Sequence, residues 1–155
     1  MTIMNRPIAY TNADKFVLGR DETFQLWFAP KQRIETSYAI FETNGKLTGK
    51  RGFLWSANFP AINTNDTKPA SLCHDLIYQL IKDGYLPRDT YKNLADEAMR
   101  QILLECGVVD FRAYAWYKAV QAGGDNALDT PKPSLMYAPS EPIKEVGWQA
   151  KKLMT

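Results

Sequence analysis

The chain predicts an α+β fold: a small antiparallel β-sheet, then a three-helix unit that includes an antiparallel helical hairpin, with extended termini. Three observations predict it. Alternating apolar and β-branched runs fill residues 15–56, apolar residues recur at helical spacing over 68–124, and Pro131, Pro133, Pro139 and Pro142 punctuate a polar stretch beyond. The expected organisation is an N-terminal arm over 1–14, one α+β domain over 15–124 that is β-rich to 56 and helical from 68, and a proline-spaced C-terminal extension over 125–155. At 155 residues the chain has room for one real core but not for two independent ones.

Residues 1–14 are polar and irregular, and read as an arm whose order depends on what it touches. Phe16-Val17-Leu18 is a short strand and Gly19 to Asp21 a turn. Thr23 to Phe28 follows as a strand with Phe24, Leu26 and Phe28 on one face, and Pro30 ends it. Arg33 to Thr43 is a further strand, and Asn44-Gly45 is the strongest short hairpin signal in the chain. Lys46 to Trp55 returns as its partner, with Gly49 and Gly52 marking a bulge. Three or four antiparallel strands are expected in all, and Trp27 and Trp55 on them are candidates for a ligand or partner surface.

Phe59 to Lys68 is a loop rich in turn residues. The first helix then runs from Pro69 to Asp83, with Thr67 at its N-cap and Gly84 as its left-handed stop. At about 100° per residue, Leu72, Cys73, Leu76, Ile77, Leu80 and Ile81 share one half of the cylinder. Ser71, His74, Asp75, Tyr78 and Lys82 share the other, and His74 and Tyr78, four apart, share a face. A second helix opens at Pro87-Arg88-Asp89 and stops at Gly107. Its apolar arc is Tyr91, Leu94, Ala95, Ala98, Met99, Ile102, Leu103 and Cys106, with Asp96 on the edge facing a partner. Asp110 caps a third helix, Phe111 to Ala122, whose aromatic rings cover the hairpin before Gly123-Gly124 ends it. Val146 to Met154 reads as a short amphipathic helix.

The link between the first two helices is short, so they fold back as an antiparallel pair in which residues at equal height have a constant sum. A His74–Asp96 contact sets that sum near 170 and leaves Cys106 about nine residues, roughly 13 Å, beyond the level of Cys73. A disulfide needs Cα atoms within about 7 Å, so the contact and a Cys73–Cys106 bridge exclude each other. The contact is the expectation adopted.

A net charge of +2 without a basic stripe gives no case for nucleic acid, and no apolar run approaches the length a membrane span needs. The N-terminus lacks the apolar core of a signal peptide, so synthesis in a cytoplasm with reduced cysteines is expected. One histidine and two scattered cysteines argue against zinc.

The pattern Pro69-Ala70, His74-Asp75-Leu76-Ile77-Tyr78, Arg88, Ala95-Asp96, Met99 and Gly107-Val108, continuing through Ala113, Tyr117, Ala119-Val120 and Gly123, resembles an uncharacterised domain family common in tailed-phage genomes and prophages. The likeness spans residues 52–124. The same His-Asp-x-x-Tyr and Ala-Asp pair also resembles the phospholipase A2 helical hairpin, above all its parvovirus form. That resemblance implies His74 as a general base, Asp75 as a calcium ligand, and Tyr78 and Asp96 as the groups that orient the imidazole. A neutral imidazole takes a proton from water, and a carboxylate on its other nitrogen fixes the tautomer. The loop Asn58 to Thr67 contains no glycine, whereas calcium loops use glycine to converge backbone carbonyls.

The function expected first is therefore that of a phage-encoded structural or accessory protein, a virion or tail subunit made in the host cytoplasm. Its hairpin is a latch, and its termini contact other phage structural proteins or further copies of itself. No cofactor is expected on that reading. The alternative is a calcium-assisted phospholipase A2-like hydrolase with His74 as base, and a second alternative is an intracellular module that binds a host protein.

Overall fold

Turn chemistry and short apolar runs place seven strands ahead of three helices in a computed structural model that describes residues 2–12, 15–56 and 65–129. The expected loop at 59–64, the proline-spaced stretch from 130 and the short helix at 146–154 lie outside the described residues. The strands are β1 (Tyr10–Asn12), β2 (Phe16–Leu18), β3 (Glu22–Gln25), β4 (Ile34–Glu35), β5 (Ala39–Phe41), β6 (Lys46–Gly49) and β7 (Leu54–Trp55). A 3-10 turn at Asn65–Thr67 leads into α1 (Lys68–Lys82), α2 (Arg88–Glu105) and α3 (Asp110–Asp129). The α+β class is as the sequence predicts, with every strand pairing antiparallel.

The strands form two sheets rather than one, with orders β1-β2-β7 and β3-β6-β5-β4. The expected strand over Arg33 to Thr43 is in fact a small hairpin, because the Thr36 hydroxyl oxygen accepts from the backbone N–H groups of Tyr38 and Ala39 at 3.2 and 2.9 Å and turns the chain. The returning run from Lys46 likewise divides: β6 stops at Gly49, a turn through Gly52 with φ +91° follows, and β7 pairs with β2 in the other sheet. Asn44-Gly45 makes the tight β5–β6 connection foreseen for it.

The N-terminal arm is part of the fold and not a loose lead-in. Tyr10–Asn12 pairs with β2, and the Ile3 and Met4 N–H groups donate to the Glu105 carboxylate at 2.7 and 3.3 Å. The Ile3 carbonyl accepts from Gln25 N–H at 2.9 Å, and the Ile3 side chain is buried. Buried Glu22 receives both Arg6 and Arg20, which staples the arm to β3.

The first helix is central. The apolar half of α1 is buried as its periodicity requires, yet Ser71, His74 and Tyr78 on the polar half are buried too. Leu76 packs so closely on β6 that a Cβ at Gly49 would stand 2.9 Å from its methyl group. Trp55 donates its indole N–H to the Ser71 hydroxyl at 3.1 Å and is buried, so it is a core residue and not a docking surface; Trp27 remains 44% exposed. Thr67 stands at the N-cap of α1 without a side-chain capping bond, and Gly84 and Gly107 take positive φ just past α1 and α2.

The third helix departs most from expectation. It does not stop at Gly123-Gly124 but continues to Asp129, so the helical unit extends past residue 124 and the first residues of the expected extension are helical. Its buried stripe is Ala113, Trp116 and Val120; Phe111 and Tyr114 face outward, at 79% and 45% exposure. Gly124 serves close packing here: a Cβ on it would run into the Tyr78 hydroxyl and come within 3.2 Å of Lys92 Cε.

Candidate functional site

One turn of α1 carries His74 and Tyr78, and one turn of α2 carries Lys92 and Asp96. Residues 83–87 join the two helices and fold them into a hairpin that brings these four side chains together. His74 Nε2 lies 2.7 Å from Asp96 Oδ1, and the Tyr78 hydroxyl donates to the same oxygen at 2.7 Å. Lys92 Nζ donates to Asp96 Oδ2 at 3.1 Å. The Asp96 side chain is 0% exposed and that of His74 1%. The His74 and Tyr78 rings stack obliquely with centroids 3.9 Å apart.

Asp75, next to His74 and partly buried, turns its Oδ1 to 3.8 Å from His74 Nδ1 and accepts from the Ser56 backbone N–H. The imidazole therefore has a carboxylate beyond each ring nitrogen. Burial opposes its charged form, but hydrogen bonding and attraction from Asp75 and Asp96 outweigh that, and its pKa lies above the ordinary histidine value. Asp96 is desolvated as well, yet His74, Tyr78 and Lys92 hold its carboxyl below the ordinary range. Burial pushes the Asp75 carboxyl up, partly offset by His74, and pushes the Tyr78 hydroxyl up in concert with Asp96.

Comparison with protein-family models, curated proteins and solved structures gives no match. The reading of the site therefore rests on its geometry and on the residues that make it.

The contact expected between His74 and Asp96 is present, with Tyr78 on the same oxygen. Cys73 and Cys106 are both free thiols, as that contact requires. Lys92 was not foreseen. It stands four residues before Asp96, the spacing of a helical ion pair, and that spacing is the signal that finds it. No comparable signal finds Gly124, because glycine pairs read as helix stops.

On its open side the network borders a cavity of about 310 Å³ lined by Ser56, His74, Asp75, Gln79, Lys82 and Ala127, among others. Calcium takes six to eight oxygen ligands. Among the described residues no group of three or more His, Cys, Asp or Glu side chains is placed to hold a metal, and Asp75 already accepts from Ser56.

Proposed function

We propose that the chain is a bacteriophage-encoded structural or accessory protein, a subunit of a virion or tail assembly, in which His74 and Asp96 form a latch between two helices. The resemblance of residues 52–124 to the phage domain family supports the assignment to a phage. The latch reading is carried by one observation: the buried imidazole has carboxylates beyond both ring nitrogens, with Lys92 as second cation. Asp75 and Asp96 both favour the charged imidazole, and a group held toward its protonated form is a poorer acceptor of a proton from water.

Mass spectrometry of purified particles tests the assembly role. The chain is expected among the virion peptides at a fixed ratio to known structural subunits; particles that assemble without it refute the proposal.

A second reading, a phospholipase A2-like hydrolase, is favoured by the cavity that His74 and Asp75 line together. Lipid hydrolysis is measured on the purified chain with and without calcium, alongside His74→Ala. Calcium-dependent release of fatty acid that disappears in the variant overturns the latch. Equal background in both proteins overturns the hydrolase.

A further inference from the structure

The last turns of α3 cross the polar network at the point where the helix is weakest. Gly123 and Gly124 lie inside the helix, and each glycine in a helix interior is unfavourable relative to alanine. Gly124 rests against the Tyr78 hydroxyl and Lys92, and Ala127, one turn on, forms a wall of the His74 cavity. Leu128, partly buried, packs these turns against the core, and a fork from α2 ties them down at the rim: Arg88 donates to Asp125 and to Asp129, each at 2.6 Å. Both pairs are solvent-exposed, with Arg88 at 34% and the aspartates at 61% and 63%. Exposed pairs are individually weak and screened by salt.

We infer that residues 123–129 are a hinged cover over the His74–Tyr78–Lys92–Asp96 network, bending at the glycine pair and latched by the Arg88 fork. Unlatching opens the cavity wall at Ala127 and bares Tyr78 and Lys92 while the rest of the domain stays folded. The Arg88 fork is thus a salt-sensitive clasp on access to the histidine. This holds whether the network below is a latch or a base.

His74 is the only histidine in the chain, so its carbethoxylation by diethylpyrocarbonate, followed by imidazole absorbance and peptide mass spectrometry, reads access to this one site. Only the neutral imidazole reacts, so labelling is followed as a function of pH and rates are compared on the alkaline plateau, where His74 protonation no longer affects them. At low salt, Arg88→Gln is expected to speed labelling about tenfold, the loss of two exposed ion pairs. The double variant Asp125→Asn/Asp129→Asn is expected to do the same from the other side of the clasp. The wild-type rate should climb toward theirs in molar sodium chloride. Gly123→Ala, where a Cβ meets nothing within 4 Å, should slow labelling about fivefold by stiffening the hinge. Wild-type rates in both clasp variants overturn the proposal. So does acceleration with the same urea dependence as global unfolding, since access then comes from the whole domain opening and not from a cover.

Discussion

Asp96→Asn is the substitution that tests the hairpin most directly. The change keeps side-chain volume and removes one charge at a position 0% exposed. In the native protein both carboxylate oxygens are used, Oδ1 by His74 and Tyr78 and Oδ2 by Lys92. An asparagine offers one acceptor oxygen, and its amide N–H₂ must face a group that is itself a donor. Lys92, only 8% exposed, is left without its anion. Removing one partner of a buried ion pair costs about 3–5 kcal/mol, against a total stability of about 5–15 kcal/mol for a domain. With a urea slope of about 1–3 kcal/mol per molar, the unfolding midpoint should fall by about 2 M.

Urea titration followed by far-UV circular dichroism measures that midpoint, and a second variant isolates the cause. If the loss comes from an uncompensated ammonium, Asp96→Asn combined with Lys92→Met recovers a substantial part of it, because both members of the pair are then gone. A midpoint within about 0.5 M of wild type for Asp96→Asn would refute the claim that this carboxylate holds the hairpin together. A double variant no more stable than Asp96→Asn alone would refute the electrostatic part of it.

Three further outcomes follow from the same contacts. His74 has a folded pKa above its unfolded value near 6.5, so its contribution is complete below that pH and is lost as pH rises through the folded pKa; Asp96 has a folded pKa below about 3.8, so its contribution is lost only as pH falls through that lower value. Asp75, raised, works against stability once pH climbs past about 3.8 toward its own folded pKa, so the wild type minus His74→Gln stability difference should be largest on the acid side of 6.5 and shrink toward alkaline pH, as thermal melts at several pH values would record. Gly124→Ala should destabilise by about 1–3 kcal/mol through overpacking against the Tyr78 hydroxyl, and Tyr78→Phe in the same chain should relieve part of that; a neutral Gly124→Ala contradicts the close crossing of α3. Iodoacetamide on the folded protein should modify Cys106, whose thiol is half-buried and pushed up to about 11, before Cys73, which is fully buried and pushed higher still; two adducts on unfolding without reductant confirm free thiols, and none would place a bridge where the hairpin register forbids it.

The helices were legible because their signals are local and repeated. Apolar spacing, Gly84 and Gly107 as stops, and a short connection together set the hairpin; its register came only from adopting the His74–Asp96 contact, which the structure contains. The strand region was less legible because its breaks depend on single side chains acting on the backbone. Nothing in the composition of Arg33 to Thr43 distinguishes a strand from a hairpin; the Thr36 hydroxyl makes the difference. The arm over residues 2–12 reads as irregular because its order comes from Glu105 and Glu22, far away in sequence or in another element. At α3 the local rule gave the wrong end. A glycine pair ordinarily stops a helix, but here the need for close passage over Tyr78 and the Arg88 fork on Asp125 and Asp129 carry the helix through.

On the latch reading, the buried charges do something the apolar arcs cannot. Leu72, Leu76 and Leu80 on α1 repeat one turn apart, as do Ala95, Met99 and Ile102 at neighbouring spacings on α2, so apolar contact alone tolerates a slip of one turn with modest loss. A slip of one turn is about 5.4 Å, twice the length of the Asp96 hydrogen bonds. It would strand the Asp96 carboxylate in the core and separate it from His74, Tyr78 and Lys92 together. The desolvation of an unpaired buried charge, several kcal/mol, then falls on the wrong register and not on the right one. A network of this kind adds little net stability over a well-packed apolar core. What it adds is a penalty on every alternative, and Gly124 extends that penalty to α3, which can settle only where the Tyr78 hydroxyl already points at Asp96.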